Sequence, residues 1–447
     1  MTVDSSVTSL GPKTGSPAEL LVRLPPDSQP HLLDARADGG WGERLGASGG
    51  ERSFLGVRPE VVFRGGREAL EEARRWLAQF RGQPALDAVL VGSFAYELGH
   101  AFAGGVVGRV DRRAEAEPAP VCLAGFRALY VHDAASPEGV VVGGCVGARA
   151  ALAELLCSLP AASDSEREPD VVRPRARTRD VDYLRAVRRV QDYIRSGDVY
   201  QVNLARRLDA PCPDPMALRR LYLRLADATA APFCAYLEAP EQTLLSSSPE
   251  RFLRSDGAAV ETRPIKGTRP RGRTPSEDAA LLRELLASAK DRAEHVMIVD
   301  LERNDLGRVC EIGSVRVSDL CRSRSFSDVH HLVSTIRGRL RDPGDWVGLL
   351  EATFPGGSIT GAPKLRAMQI IAELEPVPRG VYTGAVGSID AAGRVDLSIA
   401  IRTAIAARGL LQLHLGGGIV SDSDPESELR ETRDKGRGFA RSWGFET

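Results

Sequence analysis

The sequence predicts a protein of the mixed α/β class. Short apolar runs typical of strands occur at residues 61–63, 88–91 and 139–142, and stretches with helical character lie at residues 66–80 and 148–159. A chain of 447 residues is long enough for two or three domains, or for one large α/β unit with a core that needs no covalent staples.

Composition excludes several classes of protein. A net charge of -1 gives no reason to expect nucleic acid or an anionic membrane as a partner. The seven cysteines are scattered and form no Cys-x-x-Cys pair, so we expect reduced thiols rather than a zinc site or a disulfide scaffold. The first sixteen residues lack the apolar segment of a signal peptide, and no apolar run is long enough to span a bilayer. We therefore expect a cytoplasmic protein.

Composition shifts divide the chain into four parts. Residues 1–19 are predicted to be a flexible tail, and residues 20–160 form an N-terminal region of strands and helices. Residues 161–180 are rich in Ser, Asp, Glu, Pro and Arg and are predicted to be a surface connector. Residues 181–447 form a second region, which begins with a helix at 181–194 and a strand at 199–204 that places Gln201 and Asn203 on one face.

Two candidate helices each carry a pair of carboxylates. On the helix predicted at residues 278–300, Asp291 and Glu294 are three residues apart and share a face. A second helix is predicted to begin near residue 424, and on it Glu428 and Glu431 have the same spacing, with Lys435 one turn further. Such pairs are most often solvated helix faces. Two matched pairs beside glycine-rich loops favour a metal site instead, and oxygen donors without His or Cys favour a hard cation such as Mg²⁺.

The segment at residues 261–268 reads ETRPIKGT and places Lys266 between a proline and a Gly-Thr pair. The pattern predicts a strand followed by a tight turn. An amine held on a stiff turn suits anion binding or nucleophilic attack, whereas a solvated loop lysine is the common alternative.

Four further segments accompany this lysine, at residues 246–252, 293–305, 354–364 and 416–432. Together they resemble the chorismate-binding enzymes, which include component I of anthranilate synthase, component I of aminodeoxychorismate synthase, and the isochorismate and salicylate synthases. The resemblance is dense from residue 180 to 439 and weaker before it, where residues 52–56 and 94–97 match the N-terminal part of the family. It implies the anthranilate synthase component I fold, α/β with large antiparallel sheets packed together and helices outside.

Within the family, the Pro-Ile-Lys-Gly-Thr segment around Lys266 is similar to aminodeoxychorismate synthases, because anthranilate synthases usually carry alanine at this position. The resemblance implies conversion of chorismate and ammonia to 4-amino-4-deoxychorismate, on the route to p-aminobenzoate and folate. Ammonia is then expected from a separate glutamine amidotransferase subunit. Two alternatives stay open: component I of anthranilate synthase, and a non-catalytic regulator that binds chorismate or tryptophan.

The same resemblance implies catalytic roles. Lys266 is implied as the nucleophile and Glu250 as the general acid, although an ion pair between Glu250 and Arg251 is an alternative. His331 matches an active-site histidine, with a core histidine as the alternative. Relatives that use water carry a lysine base where this chain has Gln201, which cannot activate water.

The resemblance also implies the binding residues. For Mg²⁺ they are Glu294 and Glu431 as direct ligands, with Asp291 and Glu428 acting through water. For the substrate they are Gln201, Gly267, Thr268, Thr360, Tyr382, Arg402, Gly416, Gly417, Gly418 and Lys435. Tyr382 and Arg402 match residues that hold the pyruvyl carboxylate, and arginine suits this because it binds carboxylates in a bidentate manner.

One position departs from the family. Many relatives carry a serine near the N-terminus that helps to hold tryptophan, whereas this chain has Ala35 after Leu32, Leu33 and Asp34. The alanine puts tryptophan binding in doubt.

Overall fold

The structure is a computed structural model that describes residues 7–10, 14–36, 40–41, 52–83, 85–107, 119–134, 136, 138–160, 172–326 and 329–445. The helices are α1 (Pro17–Arg23), α2 (Arg67–Ala78), α3 (Leu98–Phe102), α4 (Val146–Ser158), α5 (Asp180–Arg195), α6 (Pro215–Thr229), α7 (Pro275–Ala287), α8 (Ala289–Gly307), α9 (Trp346–Thr353), α10 (Lys364–Leu374) and α11 (Pro425–Trp443), with a short 3-10 helix at Ala85–Asp87.

The strands are β1 (Val7–Ser9), β2 (His31–Asp34), β3 (Arg52–Gly56), β4 (Val61–Gly65), β5 (Val89–Phe94), β6 (Val121–Phe126), β7 (Leu129–Asp133), β8 (Gly139–Val142), β9 (Arg175–Ala176), β10 (Gln201–Pro211), β11 (Phe233–Ala239), β12 (Gln242–Ser248), β13 (Arg251–Ser255), β14 (Ala259–Arg263), β15 (Ile265–Pro270), β16 (Arg316–Ser325), β17 (Val329–Arg339), β18 (Gly361–Ala362), β19 (Ala385–Asp390), β20 (Val395–Ile399), β21 (Thr403–Ala407) and β22 (Leu410–Ile419).

Within the described residues, these strands form two antiparallel sheets. The twelve-stranded sheet has the order β1-β8-β7-β3-β2-β11-β12-β21-β22-β10-β18, with β9 paired to β10. The ten-stranded sheet has the order β15-β17-β14-β13-β20-β19-β5-β6-β4, with β16 paired to β17. Strands from both predicted regions occur in each sheet, because β2 pairs with β11 and β5 pairs with β19. Residues 20–160 and 181–447 therefore build one unit rather than two.

The apolar core has three layers. The layer between the sheets contains inward-facing residues of both, such as Leu33, Phe126, Leu237 and Val386. A second cluster joins the twelve-stranded sheet to helices α1, α4, α6 and α11. A third cluster joins the ten-stranded sheet to α2 and α9, and it joins β10 and β22 of the twelve-stranded sheet to α5 and α10. The arrangement is two sheets packed face to face with helices outside, which confirms the predicted fold class. None of the described helices combines the length and the apolar composition needed to cross a membrane.

The predicted tail is wrong where the structure describes it. Val7–Ser9 forms an edge strand on β8. Ser16 caps α1 through a capping box with Glu19, so the helix begins before residue 20, and it buries Leu20 and Leu21 completely. The pairing and the cap supply the order that the polar composition of residues 1–19 did not predict. In the predicted connector, residues 161–171 lie outside the described part, whereas β9 in the remainder pairs with β10.

The helix predicted at residues 278–300 is two helices. Ser288 ends α7 and caps α8 by accepting a hydrogen bond from the amide of Asp291. The break separates the apolar stripe of α7 from the two carboxylates of α8. The second predicted helix is confirmed, because Asp424 is the N-cap of α11 and Pro425 is its first residue.

A buried ion pair connects the loop after α10 to β10 of the twelve-stranded sheet. Arg379 donates two hydrogen bonds to Glu375, at 2.7 and 2.9 Å. The same guanidinium donates to the carbonyls of Asn203 at 2.7 Å and Ile359 at 3.0 Å and to the hydroxyl of Thr383 at 3.1 Å. Both charged side chains are almost fully buried, so each depends on the other for compensation.

We expect Glu375→Gln to lower the free energy of unfolding by about 3–5 kcal/mol, because the buried Arg379 charge loses its partner. Glu71→Gln is the matched control, since Glu71 pairs with Arg74 on the exposed surface of α2, and it should cost less than about 1 kcal/mol. Urea denaturation of both variants measures the difference. Equal losses in the two variants would show that the buried pair contributes no more than a surface pair.

Candidate active site

Most of the predicted site residues line one cavity of about 1470 Å³. Its walls come from β15, α8, β17, the glycine-rich end of β22, and α11. All of the predicted site residues are among its lining residues except Gln201, Thr360 and Gly417. Residues separated by more than two hundred positions along the chain therefore meet at one place.

A bulge in β15 sets the position of Lys266. Lys266 pairs with Leu332 of β17 and Thr268 pairs with His331, so Gly267 is the extra residue. Gly267 has a φ of +75°, and a Cβ there would lie 3.2 Å from the Cβ of Asp291. Only glycine fits this position without strain, and the bulge leaves Lys266 on the cavity wall.

The amine of Lys266 lies in a setting that favours its neutral form. Burial lowers its pKa, and the nearby Lys435 ammonium lowers it further, while Glu294, Glu250 and Glu431 oppose the shift. A lysine with a lowered pKa carries a larger fraction of neutral, nucleophilic amine.

Glu250 shows the opposite shift. It lies between β12 and β13 with 5% of its surface exposed. Burial raises its pKa to about 7, against the smaller effects of the Ser358 hydroxyl and Lys266. Arg251, its alternative partner in the sequence, instead contacts Asp396 and donates to the carbonyl of Gly40 at 2.8 Å. Glu250 is therefore a carboxyl that holds its proton near neutral pH, as a general acid requires.

His331 faces the cavity from β17. Its Nδ1 is 2.9 Å from the hydroxyl of Thr268, and its ring packs edge-on against Phe326 at 5.7 Å between centroids. Burial lowers its pKa to about 4, and Arg402 adds to the effect, so the imidazole is neutral. Its buried Nε2 has no hydrogen-bond partner among the described residues. A core histidine with all of its hydrogen bonds satisfied would not leave this nitrogen unpaired. The nitrogen is therefore available for a hydrogen bond to a bound molecule.

The glycines of β22 make room for the other side chains. A Cβ at Gly418 would lie 2.9 Å from Nε2 of Gln201 and 3.3 Å from Nζ of Lys266. At Gly416 a Cβ would lie 3.0 Å from the hydroxyl of Tyr382. Gly417 faces the carboxylates of α11, since its Cβ would lie 3.0 Å from Oε2 of Glu428. Gly416 and Gly418 thus leave space on one face of β22 for Tyr382, Gln201 and Lys266, and Gly417 leaves space on the other face for Glu428.

Gln201 and Thr360 lie outside the cavity lining for different reasons. Gln201 is completely buried beside Lys266, and neither of its amide atoms has a hydrogen-bond partner among the described residues. Unpaired buried amides indicate a missing ligand or water. The Thr360 hydroxyl is used locally, because it donates to the carbonyls of Gly356 at 2.9 Å and Gly357 at 3.3 Å. The structure therefore does not bring Thr360 to the substrate space.

The four predicted metal-site carboxylates face the cavity from α8 and α11. Burial raises the pKa of Glu294, and the charges of Asp291 and Glu431 contribute to the rise. Burial also raises the pKa of Glu428, whose Oε1 accepts a 2.6 Å hydrogen bond from Ser423. The pKa of Glu431 is lowered, chiefly by Lys435.

In the described part of the chain, no three His, Cys, Asp or Glu side chains are gathered as in a preformed metal centre. Two of the four carboxylates are instead paired with cations: Glu431 with Lys435 at 2.7 Å and Asp291 with Arg269 at 3.2 Å. The donor set nevertheless fits a hard cation, because all donors are oxygen atoms and the buried Oε2 of Glu428 has no partner among the described residues.

Backbone strain accompanies the predicted carboxylate-binding pair. Arg402 has a φ of +50° and Thr383, next to Tyr382, has a φ of +60°. Non-glycine residues in this region are uncommon and cluster at functional sites. The Tyr382 ring stacks on His414, with centroids 5.2 Å apart and planes 14° apart. The stack fixes the tyrosine at the cavity wall.

Sequence reasoning missed several residues of this site. Asn203, Ser358, Lys290 and His414 also line the cavity. The alternation of β10 placed Asn203 on the face of Gln201, and Ser358 lies in the segment at residues 354–364, so both had a usable signal. Nothing in the local pattern marked Lys290 or His414. Glu302 is also buried behind the site, where burial and the Glu250 charge raise its pKa to about 8.

Comparison with known proteins agrees with this architecture. The anthranilate synthase component I from Streptococcus pneumoniae has a similar structure, with a TM-score of 0.78 and 26% identity over 91% of this chain and 96% of that one. Component 1 of aminodeoxychorismate synthase from Escherichia coli is 50% identical over 253 residues, which are 57% of this chain and 55% of that protein. An anthranilate synthase component 1 from Haloarcula marismortui is 48% identical over 257 residues, 57% of this chain and 52% of that protein.

The aligned segment thus spans about half the length of these curated relatives. Their names divide between two activities at nearly equal identity, so overall similarity does not separate the two. The profile described as chorismate binding enzyme matches residues 40–441, which is most of the chain and includes every residue of the cavity lining except Phe445. This chain belongs to the family of chorismate-binding enzymes.

Proposed function

We propose that this chain is the aminating component of an aminodeoxychorismate synthase, which converts chorismate and ammonia to 4-amino-4-deoxychorismate. The observation that carries the proposal is Lys266, a lysine with a lowered pKa on the wall of the cavity that also contains Glu250. Alanine is the usual residue at this position in anthranilate synthases, so a lysine there supports chemistry at C4 rather than at C2.

In the first step, the neutral amine of Lys266 attacks C2 of chorismate, the ring double bond shifts, and the bond from C4 to its hydroxyl breaks. Glu250 donates its proton to that hydroxyl, which leaves as water. In the second step, ammonia attacks C4, the double bond shifts back, and the bond between C2 and the lysine nitrogen breaks. The cationic nitrogen formed at C4 gives a proton to the Glu250 carboxylate, and the cationic lysine nitrogen of the adduct leaves C2 as the neutral amine, so both groups return to their starting forms. Two displacements are needed because a single addition at C2 cannot leave an amine at C4.

Other cavity residues are assigned to binding. Arg402 and Tyr382 hold the pyruvyl carboxylate, and Lys435 holds the other carboxylate. Gln201 carries no base that could activate water, which supports an amine rather than water as the nucleophile. His331 is neutral and presents its unpaired Nε2 to the ring.

The proposed cofactor is Mg²⁺, held directly by Glu294 and Glu431 and through water by Asp291 and Glu428. Chorismate is a dicarboxylate, and a divalent cation among these carboxylates supplies the positive charge that offsets their repulsion of the substrate. The unpaired Oε2 of Glu428 and the all-oxygen donor set support this assignment.

Ammonia is proposed to come from a separate glutamine amidotransferase subunit in the cytoplasm. The name "component 1" of the relatives supports a second component. The cysteines, all of them free, support a reducing compartment.

Component I of anthranilate synthase is the second candidate, favoured by the relatives that bear this name. A non-catalytic regulator is the weaker alternative, because a regulator has no need of a carboxyl that keeps its proton near pH 7 beside a lysine with a lowered pKa. Incubation with chorismate, ammonium and Mg²⁺ separates these candidates. An anthranilate synthase would release fluorescent anthranilate directly. An aminodeoxychorismate synthase would give p-aminobenzoate only after a lyase is added, and a non-catalytic regulator would give neither product.

We expect Lys266→Ala to lose most 4-amination, and any residual reaction to shift toward C2 amination, because ammonia then attacks C2 directly. Lys266→Arg should not restore activity, since guanidinium stays protonated. Intact mass spectrometry without ammonia should detect a chorismate adduct on the parent protein and on the Lys290→Ala control, which removes another lysine from the same cavity. The proposal is falsified if Lys266→Ala makes the 4-amino product at the parent rate.

We expect Glu250 to titrate near pH 7. A raised folded-state pKa means that wild type loses stability relative to Glu250→Gln as pH rises from about 4.5 to about 7, by an amount on the order of 3 kcal/mol. Both proteins should also carry Glu302→Gln, because the Glu250 charge raises the pKa of the buried Glu302 and the contribution of that residue would not cancel in the difference. Urea denaturation across this range measures it. A difference that does not change with pH would mean that Glu250 ionises as an ordinary carboxyl.

We expect Glu294→Gln and Glu431→Gln each to reduce turnover by at least about a hundredfold, because a hard cation loses an anionic ligand. Asp300→Asn is the control on α8, where Asp300 is exposed and pairs with Arg303. EDTA should abolish the wild-type reaction and added Mg²⁺ should restore it. Full activity in EDTA would refute the metal requirement.

A further inference from the structure

Glu431, one of the proposed metal ligands, forms an ion pair with Lys435 of the same helix. The Nζ of Lys435 lies 2.7 Å from Oε1 of Glu431, one turn before it on α11. The same ammonium donates a 2.8 Å hydrogen bond to the carbonyl of Gly416 on β22. Lys435 is therefore held at two points, one on the carboxylate and one on the glycine strand.

A second carboxylate of the cluster is neutralised in the same way. Arg269, which follows the bulge of β15, donates to Oδ2 of Asp291 at 3.2 Å and to Glu284 at 2.7 Å. Glu428 is held by the hydroxyl of Ser423 instead, and its Oε2 has no partner among the described residues. Two of the four carboxylates, Asp291 and Glu431, thus carry an internal cation. Glu428 has an open oxygen, and Glu294 has no ion pair among the described residues.

The pair between Lys435 and Glu431 is suited to exchange. Its side chains are 39% and 51% exposed, and ion pairs at this exposure contribute little to stability. A divalent cation offers Glu431 twice the charge of an ammonium at a similar distance. The ammonium can leave Glu431 without losing all of its contacts, because the carbonyl of Gly416 remains as an acceptor.

We propose that metal binding at this site is an ion exchange, in which a divalent cation takes the Glu431 oxygen that Lys435 occupies and releases the ammonium to a substrate carboxylate. This inference rests on the proposed Mg²⁺ site. Lys435 acts as a stand-in cation that keeps Glu431 in place before the metal arrives. No covalent bond changes in the exchange.

The exchange makes Lys435 a competitor of the metal, so its removal should tighten metal binding. We expect Lys435→Met to lower the Kd for Mn²⁺, measured by titration calorimetry without chorismate, by about tenfold. Lys290→Met removes the same charge from the same cavity. Lys290 acts on Glu294, Glu428 and Glu431 only through its charge, because it forms no ion pair with the four carboxylates among the described residues. This variant should lower the Kd by no more than about threefold, because its effect acts at longer range through solvent.

Equal changes of Kd in the two variants, or a higher Kd in Lys435→Met than in wild type, would refute the proposed ion exchange. The proposed metal site would still stand. Absence of any Mn²⁺ binding, in wild type as well, would overturn the metal site together with the exchange. If Lys435→Met does not fold, a crystal structure of the wild type with Mn²⁺ decides. We expect the distance between Lys435 Nζ and Glu431 Oε1 to exceed hydrogen-bond range. A bound metal with that distance unchanged at 2.7 Å would refute the proposal.

Discussion

The buried pair of Arg379 and Glu375 is the interaction on which the cavity depends. Its guanidinium binds the carbonyls of Asn203 and Ile359, two residues that line the cavity, and the hydroxyl of Thr383, which follows Tyr382. The carboxylate also accepts the amide of Ala205, so the pair fixes β10 against the loop after α10. A buried charge tolerates little displacement, because each unmade hydrogen bond leaves an uncompensated group. The buried pair therefore holds β10, Ile359 and the segment after Tyr382 in fixed positions relative to one another.

Burial is the largest cause of two opposite pKa shifts in this site. It disfavours the charged form of every group, so it raises the pKa of Glu250 and lowers that of Lys266. The two shifts favour the protonated carboxyl and the neutral amine, which are the forms that the proposed first step uses. The glycines of β22 let Gln201 and Lys266 approach the strand closely.

Local chemistry made parts of the structure predictable. Asp424 and Pro425 predicted the start of α11. The spacing of Glu428 and Glu431 predicted that they share one face of this helix, and that face lines the cavity. Prediction failed where distant partners decide: Val7–Ser9 is ordered by β8, and Ser288 breaks a stretch whose apolar spacing continues. Thr360 lies in a motif shared with the family, yet its hydroxyl is satisfied by Gly356 and Gly357. His414 and Glu302 carry no local signal, because only the folded structure stacks His414 of β22 on Tyr382 and places Glu302 of α8 close to Glu250.

The pairing of β5 with β19 and of β2 with β11 has a consequence for synthesis on the ribosome. β2 cannot pair with β11 until about two hundred further residues have been translated. β5 cannot pair with β19 until about three hundred have been. Until then, β5, which is apolar and buried in the final sheet, exposes an edge able to pair with other nascent chains. Contacts of such long sequence separation also slow folding, because the loops that they close are long. A chain of this design depends on completion of its last strands, and a truncated product would leave both sheets without their centres.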